Sequence, residues 1–511
     1  KFVMDPKTIL LGIDVGATSI KAGAFSPEGQ LLVLESAPNS PTPQPGGAPE
    51  WRIWDLEAIW SKVCGCTRRL RESLSGAVEV MGVAVSGFGT DGVPMALDGR
   101  QLYPCISWHC ARTVPQARQS SAILGAQRIY EITGYHNYPI NTLNRLLWLK
   151  ENAPGVLENT AYWLHVQDYI VFRLTGEFST ESTIASTTMC LHLKKRAWAE
   201  DLLSQVGLTS RIFSPLYESG SRVGSVTSTA AEESGIPKGA PVATGGHDTE
   251  LAILGAGIQR KETFLDINGT WEIMMAITDF CDPSEFGLTH GLDWECHAVP
   301  GWWNCQALML AGGAIEWIRH QFYRDSPDYA TLMDEASRAP LAANHVVLLP
   351  AFVRGMGPAQ AHDPLGALIG LTTQTTREDI ARATFEGLSY QFYQQIHAIE
   401  QSLNVQADSI RVTGGGQKNP FWMQMKADMS GRALDIVQNV ESTLLGAAIL
   451  AGIGGGVYRD AFDALDAIPI PVETIEPDLA AHNRYQEHYE KVISKIPESM
   501  EKTFRLIHDF A

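Results

Sequence analysis

The feature that most constrains this chain is a pattern that occurs twice. "LLGIDVGATSIKAGAF", near the start, reads as an apolar strand, a glycine-containing bend and an alternating strand. "FLDINGTWEIMMAI", about 250 residues later, reads the same way, with Asp266 and Thr270 spaced as Asp14 and Thr18 are. Gly16 lets backbone N–H groups approach a ligand closely, and Thr18 and Lys21 can bind anionic oxygen. Asp14 adds the one negative charge, of use in holding Mg²⁺ through water beside phosphates. An ordinary hairpin with a polar surface aspartate would read alike, and a short D…T spacing recurs by chance. Two such bends nevertheless suggest two halves built alike, gripping a polyphosphate from both sides of a cleft.

Length supports that reading, since 511 residues exceed what one core serves. With 57 acidic against 39 basic residues the net charge is −18, which argues against a nucleic-acid partner. No apolar run is long enough to span a membrane: "LLGAAILAGIGGG" is too short and too glycine-rich. No basic-then-apolar leader is read, and the eight cysteines lack paired metal spacing, so reduced thiols in the cytoplasm are expected. The sequon at Asn268 is read as chance. A homodimer is the one protein assembly entertained.

Strands and helices alternate throughout, which gives an α/β class. "PINTLNRLLWLKENAPG", "AYWLHVQDYIVFRLTGEF" and "TTREDIARATFEGLSYQFYQQIHAIEQSL" read as helices. Gly176 ends the second, and Thr375 with Glu378 suits a capping box on the third. The division between halves is placed near "TGGHDTELAILGAGIQRKETF".

Four places carry chemistry. Asp248 follows two glycines at the presumed hinge, placed as a general base toward a hydroxyl, although a helix N-cap is an equal use of Asp there. His247 beside it reads as packed in the bend. "SGFGTDG" puts Thr90 and Asp91 at a strand end, where α/β folds hold ligands. "YPCISWHCART" adds Trp108, whose face suits a sugar, and Arg112, which can donate to several hydroxyls; Trp108 could equally be core. Gly414, Gly415 and Gly416 lie between strand and helix, open to a planar base or merely a turn needing positive φ; neither the dinucleotide nor the Walker pattern is present.

Together and in order, "IDVGATSIK", "VSGFGTDGVPMALDGRQLYPCISWHCART", "GGHDTELAILGAG", "NGTWEIMM" and "VTGGGQKNPFWMQMKADMSG…ESTLLGAAILAG" resemble the FGGY family of carbohydrate kinases over almost the whole chain. The resemblance implies two RNase H-like domains of the actin and hexokinase type around a central cleft. Residues 1–255 would hold the sugar site and first phosphate loop, and residues 256–511 the nucleotide site. It implies ATP with Mg²⁺ and transfer of the γ-phosphoryl group to a sugar hydroxyl. On that pattern Asp248 is the base, and Asp14, Gly16, Thr18 and Lys21 belong to the first phosphate loop, with Asp14 on the metal. Gly269 and Thr270 form the second loop, Gly312 and Gly313 of "LAGGAIEW" sit near the nucleotide, and Gly414, Gly415 and Asn419 flank adenosine. Thr90, Asp91, Trp108 and Arg112 take sugar-contact positions.

Within the family the fuculokinase branch is the nearest match, because "FGTDG" stands where xylulokinases carry "QMHG" and Ala17 departs from their bend. The expected substrate is an L-fuculose-like ketose, with D-xylulose, phosphorylated at O5, as the alternative. A non-catalytic actin-like ATPase or a sugar-binding regulator are the rivals of another class. Asp248, Trp108 and Arg112 argue against the first, and the lack of a basic helix-turn-helix stretch against the second.

Overall fold

The computed structural model describes residues 7–76, 78–325, 328–353, 362–438 and 441–510. Six strands form the first sheet: β1 (Lys7–Val15), β2 (Ser19–Phe25), β3 (Leu31–Pro38), β4 (Val78–Gly87), β5 (Arg222–Ser225) and β6 (Pro241–His247). Seven form the second: β7 (Thr263–Asn268), β8 (Trp271–Thr278), β9 (Leu292–Cys296), β10 (Trp303–Leu310), β11 (Ser409–Thr413), β12 (Ala433–Val437) and β13 (Val472–Ile475). The helices that matter here are α1 (Leu56–Ser73), α2 (Thr142–Asn152), α3 (Val166–Thr175), α4 (Asp248–Gly255), α5 (Gly312–Phe322), α6 (Arg377–Leu403), α7 (Pro420–Ser430) and α8 (Ser442–Gly454).

The sheet orders are β5-β6-β4-β1-β2-β3 and β9-β10-β8-β7-β11-β12-β13. In both, an antiparallel pair opens the sheet and a later strand adds parallel to its first member: β4 beside β1, β11 beside β7. A fifth strand then extends the parallel side, β6 on β4 and β12 on β11. Both halves therefore carry the RNase H-like order, with β5, β9 and β13 as edge additions, and the repeated bends are the turns between the first two strands of each sheet. The strands β1 and β4 are apolar on both faces, as strands covered on both sides must be.

The halves are not separate in space. Helix α8 is apolar all round and buried along its length, and it packs with α4 and β1 in one core of Leu10, Ala84, Leu251, Leu254, Leu445 and Ile449. The α4–α8 crossing is so close that a Cβ on Gly446 would lie 1.9 Å from the Leu251 carbonyl oxygen. The second half thus supplies a helix to the first half's sheet, and α4 and α8 form a packed helix pair.

Three local readings shift. Tyr162–His165 is a strand rather than the start of a helix, because it pairs antiparallel with Gly92–Met95; helix α3 begins only at Val166. The α6 capping box is Thr376 with Asp379, one residue later than Thr375 with Glu378. Asp248 is the first residue of α4 and not its N-cap, a place held by His247. All eight cysteines are free thiols, and among the described residues no helix is long and apolar enough to cross a membrane.

Candidate active site

The first bend is held by its own backbone. The Gly16 N–H donates to the Ser19 carbonyl (3.0 Å), and Asn39 ties the tip by donating to the Gly16 carbonyl (2.9 Å). Thr18 stands exposed at the tip, while Asp14 and Lys21 face each other across the strand pair. One Asp14 oxygen, Oδ1, is buried without a hydrogen-bond partner. Burial above all, and then the Asp248 charge, push the Asp14 carboxyl up to about 7, against the pull of Lys21. A buried, unpartnered carboxylate oxygen in the field of a second carboxylate is an environment that a cation relieves. Among the described residues no three His, Cys, Asp or Glu side chains form a metal cage. The donor set therefore suits a hydrated hard cation held by one or two carboxylates and by its ligand's own oxygens. Lys21 is already paired: its ammonium donates to Glu441, at the start of α8, at 2.8 and 3.1 Å.

Asp248 sits where β6 passes into α4, with a third of its side chain exposed. Burial is the main influence raising its pKa, and the His247 charge opposes it. His247 is not merely packed. Its Nδ1 lies 2.8 Å from Glu295 of β9, and its Nε2 lies 3.4 Å from Asp248. Glu295 was not legible as a site residue, because nothing local marks it; β9 meets His247 only through the tertiary fold.

The sugar-contact positions divide. Asp91 is fully buried and accepts four hydrogen bonds, from Arg145, Thr90 Oγ1 (3.0 Å), Trp54 Nε1 (2.5 Å) and the Trp108 backbone N–H (2.9 Å). Four donors fill a carboxylate's lone-pair sites, so Asp91 has none left for a sugar hydroxyl. Its expected contact is corrected to that of a brace, which fixes Trp108, Thr90 and Arg145. Thr90 adopts a left-handed φ of 66°, held by Thr187 on its N–H and by Thr142 and Arg145 on its carbonyl. Trp108 is partly exposed and stacks on His109 at 3.6 Å. Arg112 lies over Trp51 (4.0 Å) and Trp148 (5.3 Å) and donates to Gln44, leaving Nη2 buried and unpartnered. That is an unspent donor in an aromatic setting, a setting suited to a polyol.

The second bend is braced from α5: the Gly312 and Gly313 N–H groups donate to the Gly269 and Thr270 carbonyls, each at 3.1 Å. Thr270 is exposed at its tip like Thr18. Beyond β11, Gly414 takes a φ of 95°, and Asn419 caps α7 by accepting from the Trp422 N–H (3.0 Å). Asp266 does not match Asp14: it is fully buried beside Lys426 (2.8 Å), and Lys426 also holds Glu272 (2.8 Å).

Residues 9–255 match the FGGY family of carbohydrate kinases, N-terminal domain, and residues 267–455 match its C-terminal domain. The chain is an FGGY carbohydrate kinase. The kinase is 32% identical to an L-fuculokinase of Escherichia coli K12 over 456 residues, covering 89% of this chain and 94% of that one. It is 27% identical to a xylulose kinase of Bacillus subtilis over 458 residues, 88% and 89% of the two chains. The crystal structure of a xylulose kinase from Rhodospirillum rubrum superposes with a TM-score of 0.86 at 23% identity, over 97% of this kinase and all of that chain. The kinase is thus an ATP-dependent phosphotransferase on a sugar, built from two such domains around a central cleft.

Proposed function

We propose that the acceptor is an L-fuculose-like ketose, that Asp248 is the general base, and that Asp14 holds Mg²⁺ through water. The likeness to an L-fuculokinase along most of the chain supports the sugar, and it exceeds the likeness to a xylulose kinase. The base assignment is supported by Asp248 being partly open at the β6–α4 junction and close enough to raise the Asp14 pKa. The free thiols fit a reducing cytoplasmic setting.

Phosphoryl transfer asks a protein mainly for positioning and charge stabilisation. The bends at residues 16–18 and 269–270 offer backbone N–H and hydroxyl donors to the polyphosphate, and Gly414, Gly415 and Asn419 lie against the nucleoside. Mg²⁺, when bound, neutralises phosphate charge beside Asp14. Asp248 accepts the proton of the attacking hydroxyl, made more basic by its burial. Trp108 and Arg112 orient the sugar, Trp108 held in place by the Asp91 brace and Arg112 by Gln44 and the rings of Trp51 and Trp148. Closure of the cleft keeps water from the phosphate.

A panel of ketoses and polyols, followed by ADP release, tests the reading. L-Fuculose should give the highest kcat/KM. A site that hydrogen-bonds hydroxyls can reject a wrong stereochemistry by about 10⁴, whereas a terminal methyl changes preference only ~10–200-fold. D-Xylulose clearly above L-fuculose would overturn the sugar assignment and leave the kinase intact.

A further inference from the structure

Glu295 is the most deeply committed carboxylate near the base, and it belongs to the other half of the molecule. It is fully buried on β9, an edge strand of the second sheet. Its Oε2 accepts from His247 Nδ1 at 2.8 Å, and its Oε1 accepts from the Tyr135 hydroxyl and from Gln306 Nε2 (2.6 Å). Two residues earlier, on the same face of β9, Asp293 accepts from the His136 backbone N–H and Nδ1, each at 2.8 Å, and from the Tyr138 hydroxyl (3.0 Å). Both carboxylates of the strand thus dock on the first half, one of them on the residue preceding Asp248.

His247 in turn touches both parts of the acceptor site. Its Nε2 lies 3.4 Å from Asp248 Oδ1, and a Cβ on Gly89 of the "SGFGTDG" loop would lie 2.9 Å from that same nitrogen. With Nδ1 held by Glu295 (2.8 Å) and by the Thr249 hydroxyl (3.0 Å), the ring orientation is fixed and Nε2 is turned to Asp248, as a second partner fixes a metal-bound histidine. The charged and titratable groups around the ring are Glu295, Asp248 and Glu250.

We propose that Glu295 is a positioning residue for Asp248, acting through His247, so that the second domain sets the geometry of the first domain's base. The inference rests on the reading of Asp248 as the base. A carboxylate with no exposure is costly to bury, and three donors hold this one. Although burial, the largest influence on His247, lowers its pKa, Glu295 and Asp248 together bring it up to about 9, so the ring is charged at neutral pH and favours an ionised Asp248. Removing Glu295 takes away the charged partner of the ring and leaves the neutral Thr249 hydroxyl (3.0 Å) at Nδ1, so the ring is held less firmly toward Asp248 and the Gly89 loop. The base then loses its orientation while both substrates still bind.

A double-mutant cycle on the full-length kinase reads this directly. Glu295→Gln should lower kcat by ~10- to 100-fold, less than the ~10²–10⁴-fold loss expected of Asp248→Asn. KM for ATP and for the sugar should stay within about threefold. In the Asp248→Asn background, Glu295→Gln should add no further loss, because the route to the reacting hydroxyl is already cut. A change that merely loosened the fold would add in both backgrounds. An unchanged kcat in the single variant, or a fully additive cycle, overturns the inference. Near wild-type turnover by Asp248→Asn would overturn the base assignment and the inference with it. Should Glu295→Gln fail to fold by circular dichroism, His247→Gln takes its place in the same cycle, with the same outcomes.

Discussion

In the first sheet the aspartate before the bend, Asp14, faces Lys21 across the strand pair, whereas in the second sheet Asp266 faces Met274. The second bend draws its lysine from elsewhere: Lys426 of α7 passes beneath the sheet, between the rings of Phe392 and Trp422 at 4.5 Å each, and reaches both Asp266 and Glu272. All three of those charged residues have no exposure. Lys21 instead donates to Glu441, at the start of α8, and Asp14 keeps an unpartnered oxygen. Two bends with the same spacing and strand order therefore put the same residue type to different uses. One carboxylate keeps an oxygen without a partner, and the other welds the hairpin to α7, the helix that follows the glycine turn after β11. What decides between them is the helix packed under the strand.

The largest effect should come from breaking the weld. Lys426→Met leaves Asp266 and Glu272 buried together without a cation, and losing one partner of a buried pair costs about 3–5 kcal/mol. Denaturant unfolding should show a loss of that size. Asp14→Asn should leave stability at or above that of the wild type, since its carboxyl is already raised by burial, while lowering kcat by on the order of 10²–10³-fold. If Asp14→Asn unfolded the kinase and Lys426→Met were silent, the assignment of roles to the two bends would be reversed.

This contrast marks what sequence could and could not reveal. Both bends, the α/β alternation and the Asp248 junction lie in short windows of hydrophobicity and glycine placement, and local physics governs those windows. The positive φ of Gly414 belongs to the same class. The Asp266–Lys426 pair spans 160 positions and the Lys21–Glu441 pair 420, so no local signal announces them. Asp91 illustrates the harder failure. Its place at a strand end was legible, but a carboxylate open to a sugar and one saturated by Trp54, Arg145, Thr90 and Trp108 read identically until the fold brings the donors in. The Tyr162–His165 strand was hidden for a related reason: an apolar run that long also suits a helix, and only pairing with Gly92–Met95 selects the strand.

A second test addresses the link between the halves. His247 has a folded pKa of about 9 against an ordinary 6.5, so its contribution is fully present below about pH 6.5 and is lost as pH rises through about 9. The shift corresponds to up to roughly 3 kcal/mol. His136, raised by Asp293 against the opposing effect of its own burial, works in the same direction. Thermal unfolding from pH 6 to 10 should therefore show wild type losing stability more steeply than His247→Gln. Parallel curves would mean that the Glu295–His247 contact contributes nothing to docking β9 on the first half.

The smallest effect concerns Lys21, the counterpart of the lysine in the weld. Its pair with Glu441 is part-exposed, with 30% of the lysine and 14% of the glutamate side chain accessible, so solvent screens it. Pairs of this kind contribute about 0–1 kcal/mol. Glu441→Gln should accordingly shift the unfolding free energy by less than about 1 kcal/mol, in contrast to Lys426→Met. Its effect on ATP should be separable from stability. Removing one negative charge beside the first bend, and releasing the Lys21 ammonium from a 2.8 Å contact, favours a polyanion there. KM for ATP should fall a few-fold, by less than about tenfold, with the sugar KM unchanged. A rise in KM for ATP, steepest at low Mg²⁺, would instead assign Glu441 to the cation beside Asp14. The first bend would then hold its metal with two carboxylates, and Lys21 would be their brace rather than a phosphate ligand.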